Sequence, residues 1–112
     1  METKTERYGD AMIVQCRGEL SEDSLEPLDK EMRRQITGSV ESVVLDFAAV
    51  PFVDSVGLEF LLDLQDRLAE KSGRLAIANP DEHVRKIFEI TRMNESLVIV
   101  ADAMEAVRGI GA

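Results

Sequence analysis

The segment Val43-Val44-Leu45-Asp46-Phe47 is almost wholly apolar, short, and without the in-and-out alternation of a half-exposed strand. A run of this kind belongs to a strand buried between two helical layers. Such a strand cannot stand alone, so the flanking text must supply helices. It does. After Asp54-Ser55 a helical pattern extends to Ser72-Gly73, with Leu58, Leu61, Leu62, Leu68 and Ala69 on one stripe and Glu59, Asp63, Asp66 and Glu70 opposite.

The same alternation continues in both directions. Upstream, Tyr8, the turn pair Gly9-Asp10 and Met12 to Cys16 predict an N-terminal hairpin, closed by Gly18 and Leu20. The polar residues Ser21 to Ser24 offer helix caps before Leu25, Leu28, Met32 and Ile36, Pro27 is tolerable in the first turn, and Gly38 suits the helix end. Downstream, Arg74 to Ala78 reads as a strand. Asn79-Pro80-Asp81-Glu82 reads as a helix start, with Asn79 capping, Pro80 in the first helical position, and Val84, Ile87 and Phe88 on the buried side. Leu97 to Val100 reads as the last strand and Asp102 to Arg108 as a short final helix.

Strands separated by helices of this length imply right-handed crossovers and a largely parallel sheet, to which the hairpin adds one antiparallel strand. The expected fold is therefore one α/β domain over residues 1–112, flexible over residues 1–6. It has a mixed, mostly parallel sheet of about five strands and about four helices. No repeat, low-complexity tract or linker interrupts it.

Charge narrows the function. Twenty-two acidic residues against thirteen basic ones leave a net charge of −9, a field that repels nucleic acid and anionic membrane surfaces. It suits a partner with a basic face, and equally plain solubility. No apolar run approaches the ~20 residues of a membrane span, and Met1 to Arg7 carries no signal-like apolar stretch. The expectation is a cytoplasmic protein with no direct membrane insertion. Cys16 is the only cysteine and falls in a strand, where a buried, inert thiol is expected.

Catalytic machinery is not legible. No phosphate-cradling glycine loop follows a strand, no nucleophile elbow surrounds Ser55, and His83, the only histidine, sits in a charged helix start as a surface residue. Asp46 and Asp54 lack a third metal ligand, and turn or capping roles account for both. The expectation is a binding module, not an enzyme, with no metal and no cofactor.

Attention falls on LDFAAVPFVDSVGLEFLL. A buried strand runs through the apolar connector Ala48 to Val53 into a helix opened by Asp54-Ser55. A hydroxyl there lies where free N–H groups and the helix dipole favour added negative charge, so Ser55 is a favourable phosphate acceptor; as an isolated dipeptide, Asp54-Ser55 is simply a cap. Gly57 lowers helix propensity and makes sense where another backbone approaches closely.

This stretch resembles the signature of STAS domains, the family that includes bacterial anti-sigma factor antagonists. The resemblance is carried by Leu45, Asp46, Val50, Phe52, Asp54, Ser55, Gly57 and Leu58, with Gly18-Glu19-Leu20 similar to the family's strand end before its first helix. It implies a STAS-like fold and a binding switch. Unphosphorylated at Ser55, such a protein sequesters a kinase-type anti-sigma factor and frees a sigma factor; phosphorylation by that partner ends binding, and a metal-dependent serine phosphatase resets it. The partner surface would comprise Asp54, Ser55, Val56, Gly57, Leu58, Phe60, Ser21 and Asp23. Ser21 stands where an aspartate is common, with Asp23 nearby, and Glu59, Phe60 and Asp63 replace residues often small or apolar. Phe60 falls at the boundary of stripe and charged face, open to loop packing or partner contact. The alternative implied by the resemblance is a non-catalytic STAS subunit of an ABC-type membrane lipid-transport complex.

Overall fold

The computed structural model describes residues 1–37 and 42–110. Strands β1 (Glu2–Tyr8) and β2 (Ala11–Arg17) form the hairpin, turning at Gly9 in the left-handed region (φ 63°). Helix α1 (Glu26–Gln35), strand β3 (Ser42–Ala49), helix α2 (Ser55–Glu70), strand β4 (Arg74–Ala78) and helix α3 (Glu82–Ile90) follow. A 3-10 turn at Met93–Glu95 leads into β5 (Val98–Val100) and α4 (Ala103–Ile110).

The sheet runs β1-β2-β3-β4-β5, with β1 antiparallel to β2 and the remaining pairs parallel. The mixed, mostly parallel sheet expected from the sequence is thus present. Parallel strands laid side by side in chain order step always the same way, so crossovers of one hand send successive helices to one face. Accordingly α1, α2 and α3 share a single core with Met12, Val14, Leu45, Phe47 and Ile77, while among the described residues only α4 covers the other face, over Ile13, Val44, Ala76 and Ala78. Val43, Val44 and Leu45 are all fully buried, as a strand covered on both faces requires. The alanines on the second face leave room for Ala106 of α4 to pack closely.

Cys16 lies in the core, its thiol donating to the Val14 carbonyl over 3.6 Å. Burial, with a smaller contribution from the charge of Asp46, pushes its pKa up to about 12. The thiolate fraction at neutral pH is therefore negligible, and the residue acts as a small apolar side chain.

Three local expectations need correction. The serines of the Ser21–Ser24 turn do not cap α1: Leu25 occupies the cap position without a side-chain bond. Ser24 instead donates to the Glu19 carbonyl and accepts from the Ser21 amide (3.1 Å), because the turn itself has polar groups to satisfy. The cap of α3 is Asp81, not Asn79, accepting from the Val84 amide at 2.8 Å. Asn79 is left-handed (φ 57°) and donates to the Val100 carbonyl, tying β4 to β5, so Pro80 lies buried ahead of the helix. On α2 the buried stripe is Gly57, Phe60, Leu61, Leu64 and Leu68; Leu58 and Leu62 are half-buried and Ala69 is exposed. The role assigned to Gly38 lies outside the described residues.

Candidate functional site

At the carboxyl ends of β2 and β3, where open α/β sheets place their sites, the two following loops are laced together. The Gly18 amide donates to the Ala49 carbonyl (3.0 Å), Leu20 to Phe52 (3.0 Å), and Asp54 back to Leu20 (3.1 Å). Leu20 and Val53 form an isolated parallel bridge. Val50 and Val53 sink into the core as anchors, leaving Pro51 and Phe52 on the surface. The apolar connector thereby becomes a fixed ledge leading to the head of α2.

Asp54 holds two elements with one carboxylate. Oδ1 accepts from the Gly57 amide at 2.8 Å and caps α2; Oδ2 accepts from the Glu22 amide at 3.0 Å and pins the Ser21–Ser24 turn against the helix start. The bonds from Gly57 and then Glu22 hold its carboxyl below the usual aspartate range. A depressed folded-state pKa contributes stability above the unfolded value, and that contribution is lost as pH falls through the folded one. Asp54→Ala is expected to cost about 2 kcal/mol, one part for the cap and one for the cross-loop bond. Asp54→Asn should show a shallower loss of stability below about pH 4 than the parent; urea midpoints measured from pH 3 to 7 give both numbers.

Because Asp54 supplies the cap, the neighbouring Ser55 is released from that task. It is exposed at the first position of α2, with its hydroxyl at the positive end of the helix dipole. Val56 and Leu58 are half-buried behind it. Asp23 is exposed on the turn that Glu22 anchors, and Ser21 shares that turn with its hydroxyl 2.8 Å from that of Ser24. The structure thus brings Ser21, Asp23, Asp54 and Ser55 to one corner.

Gly57 and Phe60 stand apart from it. A Cβ on Gly57 would collide with the Leu20 carbonyl oxygen and press on the Val53 and Leu20 side chains. The backbone that approaches Gly57 is the chain's own. Phe60, 8% exposed, is a core residue, with only its edge reaching the space between α1 and α2.

Sequence reading did not find the Glu22 amide or the Leu20 carbonyl, since backbone groups carry no sequence signal. It also missed that exposed His83 stacks on Phe52, ring centroids 6.2 Å apart and 26° from parallel, extending the corner toward α3. Asp46 makes a local turn, accepting from the Ala48 amide at 3.0 Å. Among the described residues no three His, Cys, Asp or Glu side chains are placed to hold a metal, and no helix is long and apolar enough to cross a membrane.

A mixed five-stranded sheet, helices layered by chain order, and a capped Asp-Ser at the head of the longest helix define a particular class of small α/β module. The chain belongs to the STAS domain family, whose model matches residues 2–106. It is 31% identical to BtrV of Bordetella bronchiseptica, provisionally named an anti-sigma factor antagonist, over 87% of this chain and 84% of that protein. An anti-sigma factor antagonist from Mycobacterium paratuberculosis shares the fold with a TM-score of 0.87 at 20% identity, covering 99% of this chain and 94% of that one. The Bacillus cell fate determinant SpoIIAA, solved in its phosphorylated form, matches with a TM-score of 0.74 at 22% identity, over 97% and 99% of the two chains.

Proposed function

We propose that this protein is an anti-sigma factor antagonist that works as a phosphorylation-controlled binding switch. With Ser55 free it holds a kinase-type anti-sigma factor and so releases a sigma factor; with Ser55 phosphorylated it lets go, and a metal-dependent serine phosphatase restores it. The observation that carries this reading is the division of labour at the head of α2: Asp54 caps the helix, leaving Ser55 exposed and available to a kinase. The names of BtrV and the mycobacterial relative support the antagonist role, and the phosphorylated form of SpoIIAA supports a phosphate-based switch.

The physics is direct. A phosphoserine at the first helical position gains from the dipole and the helix N–H groups, so the fold tolerates it. The same dianion, placed one residue from the Asp54 carboxylate at a surface that must be dried on binding, brings repulsion and desolvation to the interface. The chemistry of phosphate transfer and removal belongs to the partners. This chain contributes a rigid, presented hydroxyl.

The test is incubation with a kinase-type anti-sigma factor from the same organism and ATP, followed by mass spectrometric location of phosphate. Phosphate on Ser55, absent from Ser55→Ala, together with loss of the complex is the expected result. A stable complex with no phosphate on Ser55 would point instead to the scaffold role of a transport-complex subunit.

A further inference from the structure

A groove of about 590 Å3 runs between α1 and α2, lined on α2 from Val56, the residue after Ser55, to Glu70. At its near end the floor is apolar, made by half-buried Leu25 and Val56 and the edge of Phe60. Its wall along α2 is a line of carboxylates, Glu59, Asp63, Asp66 and Glu70, spaced by four, three and four residues and all exposed. That spacing keeps them on one face over ~16 Å of helix. Two guanidinium groups also reach the groove, but both are occupied by one acid: Arg33 lies 3.1 Å and Arg67 3.7 Å from Asp29. Among the described residues, none of the four carboxylates of α2 is in an ion pair.

This arrangement works against the helix that carries it. Glu59 with Asp63, and Asp66 with Glu70, are like-charged pairs at i,i+4, an arrangement that destabilises an isolated helix. Solubility alone would be served as well by acids interleaved with lysines. An apolar floor with an acidic wall has a definite complement, which is an amphipathic helix with apolar residues on one side and lysines or arginines on the other.

We propose that the α1–α2 groove docks a basic amphipathic helix of the protein partner, apolar side chains seated on Leu25, Val56 and Phe60 and cations ranged along Glu59, Asp63, Asp66 and Glu70. This rests on the reading that a protein partner engages the corner at Ser55, and it gives that partner a second, charge-selected foothold. Partners lacking a basic helix would meet four uncompensated carboxylates, so the groove serves discrimination as well as affinity. Steering by these charges would also make association sensitive to salt.

The probe is a synthetic peptide of about 18 residues, ~27 Å long as a helix, with leucines on one face and arginines on the other. It is titrated into 15N-labelled protein at physiological ionic strength. The expected result is a set of amide shifts confined to the facing sides of α1 and α2, with affinity falling at least about tenfold in an Asp63→Lys/Asp66→Lys variant whose melting temperature is unchanged. A peptide of the same composition with leucines and arginines shuffled, so that neither face is apolar, should bind at least about tenfold more weakly. Equal binding of the shuffled peptide, shifts scattered over the acidic surface, or no binding would each overturn the proposal. The same double variant is then tested against the kinase-like partner. Unaltered affinity and salt dependence, with Ser55→Asp still disrupting the complex, would sink the groove and leave the switch standing. Groove binding with no phosphate ever found on Ser55 would keep the groove and remove the switch.

Discussion

Gly57→Ala is expected to lower the melting temperature by roughly 8–10 °C, equivalent to about 2 kcal/mol. The added methyl would meet the Leu20 carbonyl oxygen, which cannot rotate away because Leu20 is bonded to both Phe52 and Asp54 and bridged to Val53. Relieving the overlap means moving the β2–α1 loop, at an overpacking cost of about 3 kcal/mol. The better helix propensity of alanine returns up to ~1 kcal/mol of that. Judged from sequence, a bulky residue at Gly57 would be expected to harm partner binding more than stability. The geometry reverses that order: stability falls first, and binding falls in proportion to the fraction unfolded and to the displacement of the Ser21–Ser24 turn. Thermal melts beside binding curves for Gly57→Ala and Gly57→Leu decide it, and a variant that melts like the parent but binds poorly would refute the account.

Ser55→Asp should do the opposite, weakening the complex with the kinase-like partner by about 2 kcal/mol, or roughly 30-fold, while leaving the melting temperature within a degree or two. A carboxylate at the first helical position is welcomed by the dipole, so the isolated protein has no reason to be destabilised. The cost arises only on docking, when a second negative charge beside Asp54 has to be stripped of water. Calorimetric titration against the partner, with Ser55→Ala as the uncharged control, isolates the charge from the loss of the hydroxyl. Equal affinities for the two variants would show that charge at this position does not govern binding. Together, the Gly57 and Ser55 substitutions separate the frame of the site from its message.

Much of this molecule is written in short-range pattern. The buried run Val43–Phe47, the hairpin turn at Gly9-Asp10 and the helical period from Ser55 onward together dictate an alternating α/β chain with a mixed sheet. Each depends on residues a few positions apart, where propensity and periodicity act directly. Asp54-Ser55 at a helix head is legible for the same reason. Capping is a contact three residues long, and here Asp54 makes it.

What the tertiary structure alone decides is everything that depends on groups distant in sequence. The second bond of Asp54 reaches Glu22 across 32 residues. The need for glycine at position 57 comes from a carbonyl on another loop, and the stacking of His83 on Phe52 joins α3 to the connector before α2. Phe60, equivocal on a helical wheel, is drawn into the core cluster that the helices share with the buried side chains of the sheet. Likewise Asn79 looks like a cap in the sequence, but its backbone is left-handed (φ 57°) where it bonds to Val100 of the neighbouring strand, and the carboxylate of Asp81, in extended backbone, makes the cap. Local chemistry proposes which groups need partners. Only the packed sheet and its crossovers determine which partners lie within hydrogen-bonding reach.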